Sequence, residues 1–331
     1  MLNIVIVHKS RYHNGLHSCL LESERVYGCF LNGQVRVCRG CDALINAEIN
    51  FLNAYKEDER IVCMLTVSNQ KSDRPLLEGF DLLILIMTED KQASDATFHY
   101  IRDDMRIQER WLYARDLEGW VFNNEHRYII QWLLEGDILL DHTGYLADLR
   151  KRLMKFDTTV KDQKLLVEFG LFLNAYLRSK EYLNQQYLLD AYSKILEALH
   201  HWARITVIES GTHPEVIVWK QVYDYNPGVY KLYDELTHSN ETLEKRVQLL
   251  VLACEFTAVS KMKDCCKLII EVLESRKGAW SMMQLMNHPN LRGLNVNLSI
   301  ILKKLAAKSL IKEVRVPVQG QNMWELQYSA V

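Results

Sequence analysis

The chain has 331 residues, 48% hydrophobic and 25% charged, with a formal net charge of −2. That balance is ordinary for a globular protein and excludes polyelectrolyte character, and the length leaves room for two or three domains. The charge is uneven: residues 276–331 carry eight Lys/Arg and two Asp/Glu, a balance of +6, so the remainder carries −8. Such a basic tail fits a module for nucleic acid or an acidic partner, or a solvated basic face. No apolar run reaches the roughly 18 residues of a membrane-spanning helix. The opening MLNIVIV lacks the basic flank and cleavage site of a signal peptide. The expectation is a cytoplasmic protein with no membrane partner, and eight cysteines without a regular framework agree with a reducing compartment.

Residues 1–42 read as short alternating strands with turns at Asn14-Gly15 and Asn32-Gly33, an N-terminal extension of unknown role. Cys38 and Cys41 form a lone C-x-x-C. With Cys19, Cys29, His8, His13 and His17 nearby, a zinc site is one reading and free thiols are the other.

Residues 43–156 mix helix and strand. Ala43–Lys56 has helical spacing, and IVCMLTV within Arg60–Val67 is β-rich. A polar loop then leads into DLLILIM, an apolar run opened by Asp81. Thr97–Arg102 and Met105–Ala114 are expected strands around an Asp103-Asp104 turn. A helix over His126–Leu134 and a short strand, Asp137–Leu140, ending in Asp141 follow.

Residues 157–276 repeat apolar residues at three- and four-residue spacing and predict an antiparallel helical bundle. Gly211 marks a helix stop and Pro214 the reopening of a helix. Residues 277–331 give a helix over Ser281–Met286, a break at Pro289, a helix over Val296–Leu310, and strands Ile311–Pro317 and Met323–Tyr328. Helix, turn, helix and hairpin is the order of a winged helix. The fold class expected is therefore α+β: a mixed sheet with helices, then an all-α bundle, then a small winged-helix module.

TVSN (66–69) followed by DLL (81–83) resembles the grammar of the nucleotidyltransferase superfamily that includes the aminoglycoside nucleotidyltransferases. In that superfamily a Gly-Ser turn precedes a strand bearing Asp-x-Asp, and a third carboxylate comes from a neighbouring strand. Alternate residues of a strand share a face, so such carboxylates can hold two Mg²⁺ ions against a triphosphate. The segments WLLEGDILLDHTGYLADLRKRL (132–153), 187–222 and 228–256 resemble more closely the nucleotidyltransferase-like proteins of bacilli and related Gram-positive bacteria. That family joins a nucleotidyltransferase-like domain, a helical substrate-binding-like domain and a C-terminal helix-turn-helix. The resemblance covers roughly residues 45–331 and leaves the first forty or so unmatched.

The resemblance implies Ser68 and Asn69 as phosphate-cradling ligand residues, Asp81 as first carboxylate and metal ligand, and Glu109 as the third carboxylate, with Mg²⁺ as cofactor. Leu83 stands where a second Asp would be, which implies a degraded metal site. The alternative for Asp81 is a bond to backbone N–H groups or to a base such as Arg74. In the helical segment, analogy with the related transferases makes Glu197 and Glu209 candidate bases and His200, His201 and Arg204 candidate anion ligands, against the alternative of a solvated polar face or of core histidines satisfied by their neighbours. Lys303, Lys304 and Lys308 crowd the last helix as candidate phosphate contacts. Asn295, Asn297 and Ser299 offer base-edge hydrogen bonds near its start.

Three functions stay open: a pseudoenzyme binding a nucleotide or small anionic ligand between the first two domains; an active Mg²⁺-dependent nucleotidyltransferase acting on a hydroxyl; and a ligand-sensing DNA-binding regulator. Small winged helices also serve as dimerisation pieces, so a homodimer is expected as a further partner.

Overall fold

The computed structural model describes residues 29–31, 34–36, 39–68, 77, 79–123, 128–318 and 323–331. It divides into two compact units, one formed by the described residues up to Ala114 with Glu135–Tyr145, the other by Arg115–Leu134 with Leu146–Val331.

The first unit contains a pair of short antiparallel strands, β1 (Cys29–Leu31) and β2 (Gln34–Arg36); the expected Asn32-Gly33 turn lies outside the described residues. Helix α1 (Arg39–Tyr55) follows, then β3 (Ile61–Ser68), β4 (Leu82–Thr88), β5 (Thr97–Arg102), β6 (Met105–Tyr113) and, later in the chain, β7 (Asp137–Asp141). The last five form one mixed sheet in the order β5-β6-β4-β3-β7. An unbroken apolar strand cannot leave either face in water, and β4 occupies the sheet centre with every residue buried. It runs parallel to β6 and antiparallel to β3. Leu44 and Ala47 of α1 share a core with Leu82, Ile84, Ile86, Ile107 and Trp111, which covers one face. Asp103 and Asp104 turn β5 into β6 with positive φ of 48° and 62°, the left-handed pair that suits a two-residue hairpin.

The second unit contains α2 (Leu117–Asn123), α3 (Ile129–Glu135), α4 (Tyr145–Lys155), α5 (Thr158–Asn184), α6 (Leu188–Glu209), α7 (Val218–Tyr225), α8 (Pro227–His238) and α9 (Leu243–Cys265). Helix α5 is its axis. The consecutive residues Asp162–Gly170 are all buried, so no face of the helix there meets solvent. A helix buried all round needs apolar residues on every side, and its polar members need partners.

The C-terminal module completes a winged helix. It has α10 (Lys267–Glu274), α11 (Met282–Met286), α12 (Leu298–Ala307), β8 (Lys312–Pro317) and β9 (Trp324–Ser329). Trp280 adds a third strand position by exchanging hydrogen bonds of 2.7 and 2.9 Å with Tyr328. Ser281 caps α11 in a reciprocal box with Gln284. The module shares one hydrophobic core with the bundle: Ile301, Leu302 and Leu305 belong to the same cluster as Leu166 and Phe169. Gly170 permits this approach, because a Cβ there would stand 3.3 Å from Val296 Cγ1 and 3.4 Å from Ile301 Cδ1.

Several boundaries differ from the sequence reading. Helix α1 begins at Arg39 rather than Ala43, inside the segment expected to be strand. Helix α2 was not anticipated; its short LEGWVFN carries too few turns for a periodic signal. The helix expected from Pro214 starts at Val218. The last helix is Leu298–Ala307, capped by Asn297. The Asn14-Gly15 turn and the His8, His13, His17, Cys19 and Cys38 part of the zinc reading lie outside the described residues.

Gly170→Leu drives a side chain into the α12 contact. It is expected to cost about 1–3 kcal/mol, read as a lower midpoint in chemical denaturation of the full chain.

Candidate functional site

At the open end of the sheet, Asp81 precedes β4 and is exposed. Its carboxylate accepts a 2.8 Å hydrogen bond from the Arg106 backbone N–H, and its own N–H donates 2.8 Å to the Arg106 carbonyl. The acid thus extends the β4–β6 ladder by one rung. Glu109 lies three residues farther along β6, about 10 Å of extended strand. It pairs in register with Ile84 and so points to the α1 side, out of phase with Asp81. It is 1% exposed. Its Oε1 accepts from Trp111 Nε1 at 2.6 Å and from the Tyr55 hydroxyl at 3.1 Å, while Oε2 is buried without a hydrogen-bond partner. Burial and the Glu109 charge push the Tyr55 hydroxyl pKa up.

The structure therefore does not bring the two candidate carboxylates together. Ser68 is buried and pairs with Leu82, which puts it in phase with Glu109 rather than Asp81. Asn69 and Arg74 lie outside the described residues. A divalent ion of the Mg²⁺ type needs oxygen ligands converging from one side. Asp81 instead neighbours Arg106, with Leu83 next on its face, and this donor set does not fit such an ion. Among the described residues no group of three or more His, Cys, Asp or Glu is placed to hold a metal.

The helical unit holds a denser constellation. Glu168 of α5 is 1% exposed. It accepts a hydrogen bond from Arg204 Nε on its Oε1, and its Oε2 lies 2.8 Å from His201 Nδ1. Because a carboxylate only accepts, His201 Nδ1 carries the proton. Burial alone would raise the Glu168 carboxyl; the Arg204 guanidinium and the His201 bond outweigh it and hold the group at about 2.

Lys164, one turn earlier and fully buried, donates from Nζ to the Val121 carbonyl at 2.8 Å. Burial and the Arg204 charge lower its ammonium to about 7. His213 has an edge-on contact with the Phe156 ring and gives its Nε2–H to the Leu153 carbonyl at 2.9 Å. Burial, with Lys164 adding to it, keeps it neutral to about 4. His201 and Arg204 retain 17% and 16% of their side-chain exposure, so they are the members of this group that solvent reaches.

The other candidates lie elsewhere. Glu197 pairs with Lys194 on the surface at 2.6 Å. Glu209 is bound through both oxygens by Lys261 at 2.8 and 2.7 Å. His200 faces the Trp219 ring edge-on. Glu168 and Lys164 were missed by the sequence reading; the signal available was two charged residues four apart that flank the apolar Leu165–Val167. In the winged helix, Lys303 and Lys308 are exposed, but Lys304 is half-buried. The Lys304 charge reaches Glu255 of α9, which Lys180 holds at 2.8 Å. The Asn297 side chain accepts from the Ile300 N–H as the helix cap.

Three family models match the chain. One described as Nucleotidyltransferase-like matches residues 48–161, one described as YgxA-like substrate binding domain matches 162–261, and one described as Helix-turn-helix domain matches 267–330. The uncharacterized protein YgxA of Bacillus subtilis (strain 168) is 32% identical over 268 residues, which cover 81% of this chain and 91% of that protein. A nucleotidyltransferase-like protein from Exiguobacterium sibiricum 255-15, known from its crystal structure, is 30% identical. It superposes with a TM-score of 0.78 over 87% of this chain and 99% of that one.

The Glu168 carboxyl titrates below its ordinary 4.5, so its stabilisation is present above that pH and is lost as pH falls toward about 2. His213, lowered from 6.5 to about 4, takes up a proton more readily when unfolded and removes stability as pH falls through that window. The expected outcome is a melting temperature that falls between those pH values in the parent and falls less in His213→Gln. Glu168→Gln is expected to cost about 3–5 kcal/mol at neutral pH by removing the buried carboxylate that Arg204 and His201 bind, measured by urea unfolding.

Proposed function

This chain belongs to the family of nucleotidyltransferase-like proteins that carry a YgxA-like substrate binding domain and a helix-turn-helix domain, and from that premise we propose that it binds a nucleotide or another small anion without transferring a nucleotidyl group. One observation carries this reading: the buried cluster of Lys164, Glu168, His201 and Arg204 falls inside the segment matched by the substrate binding domain model. One carboxylate is met by an arginine and a histidine, with a buried lysine one turn earlier on the same helix. Arg204 and His201 form its accessible edge, and a guanidinium is suited to phosphate or carboxylate oxygens. The metal site of the nucleotidyltransferase-like domain is degraded: Asp81 is engaged with the β6 backbone, Leu83 replaces its companion, and Glu109 faces the other side. A fold can persist after its chemistry is gone.

Thermal shift with ATP, CTP, GTP and UTP, each with and without Mg²⁺, tests this. Ligand at about a hundred times its Kd adds about 2.7 kcal/mol to stability. The expected outcome is a rise in melting temperature with at least one nucleotide that needs no Mg²⁺, survives Asp81→Ala and is lost in Arg204→Gln. A rise that requires Mg²⁺ and disappears in Asp81→Ala would favour the active nucleotidyltransferase instead.

A second reading rests on the helix-turn-helix model over 267–330 and the basic balance of that segment: the winged helix contacts DNA phosphates through Lys303 of its last helix and Lys308 at that helix's C-terminal cap. Lys304 faces the bundle and is left out of this role. A salt-sensitive gel shift with duplex DNA is expected for the parent, lost in Lys303→Glu/Lys308→Glu and kept in Lys304→Gln.

A further inference from the structure

The charged cluster of the helical unit contains an arrangement that anion binding alone does not use. His201 gives its Nδ1–H to Glu168 Oε2 at 2.8 Å, and that bond fixes the tautomer. The ring's lone pair then sits on Nε2. Within the described residues Nε2 makes no hydrogen bond, and solvent reaches it. A carboxylate on one ring nitrogen raises the basicity of the other, and Glu168 stays ionised well below neutrality.

Such an imidazole can serve as a metal ligand, as a proton acceptor for a hydroxyl, or as a nucleophile. The first use needs further donors, and among the described residues no group of three His, Cys, Asp or Glu could hold an ion. For the second, no described hydroxyl or thiol of the protein is bonded to Nε2. The third needs only an electrophile brought to the ring. Arg204 stands three residues on, on the same face of α6, and keeps 16% of its side-chain exposure.

We propose that His201 is a nucleophile that accepts a phosphoryl group on Nε2 from an anionic donor held by Arg204. This step rests on the anion site proposed above and names its ligand class: a compound ending in a transferable phosphoryl group, such as a nucleoside triphosphate. The Nε2 lone pair attacks phosphorus, the bond from phosphorus to the leaving group breaks, and that group departs with the bonding pair. Nothing is oxidised or reduced. The proton on Nδ1 stays, and its bond to Glu168 meets the imidazolium charge that forms. The Arg204 guanidinium meets the phosphoryl oxygens, over which charge spreads in the transition state.

Phosphoramidate, a small donor whose leaving group is ammonia, tests this on the full chain. After reaction near neutral pH the protein is digested at alkaline pH, where phosphohistidine survives, and mapped by mass spectrometry. The expected result is a phosphoryl group on His201, formed faster than on His238, an exposed imidazole with a carboxylate contact of its own, 3.0 Å from Asp234. Label at this position is lost in His201→Asn, whose amide N–H can still meet Glu168, while His238 reacts as in the parent. Mapping the parent decides the question however well the variant folds. Label on exposed histidines with none on His201, or release of phosphate with no label on His201, would overturn the proposal. Thermal shift of the same preparation with inorganic phosphate separates the two readings. A rise in melting temperature without label on His201 removes the transfer and keeps the anion site; neither rise nor label removes both.

Discussion

The second unit depends on how a carboxylate can be placed inside a helical bundle. An uncompensated ion in that interior costs several kcal/mol after relaxation, so Glu168 is tolerable only where two donors meet it together. Arg204 and His201 do so from α6, three residues apart and on one face of that helix. Their spacing fixes the rotation of α6, and the two oxygens of Glu168 fix the rotation of α5. Apolar packing alone would allow several registers between two long helices; directional charged bonds restrict them. Lys164 extends the same constraint to the Val121 carbonyl and so ties α2 to the bundle.

The first unit solves the converse problem. Its central strand is apolar from Leu82 to Met87, and polar groups are confined to its ends and its neighbours. Asp81 continues the ladder at the entrance of β4, while Glu109 is satisfied on one oxygen by an indole and a phenol under α1. Both acids therefore have structural partners. The sheet itself rests on burial and backbone pairing rather than on these two acids.

Much of the fold was legible because periodicity and punctuation are local. The LLILIM run, the Asp-Asp hairpin turn and the Ser281 cap each state their structure within a few residues. Helices with few turns, such as α2, carry no such signal, and the start of α1 depends on which apolar residues find a sheet to rest on. The site was half legible. His201 and Arg204 could be placed on one helical face from their spacing, but Glu168 is more than thirty residues away and joins them only through the α5–α6 packing. For Glu109 the strand position was readable, but the face it points to depends on register with β4. Lys304 and Asn297 were chosen for their chemistry, and the surrounding structure had already used them, one toward Glu255 and one as a cap.

Gly170 and Glu168 stand two residues apart on α5, about 3 Å of axial rise. One residue admits the winged helix and the other anchors the charged cluster. The helix between them is continuous, so the packing against the last helix and the anchor of the charged cluster sit on one and the same rod.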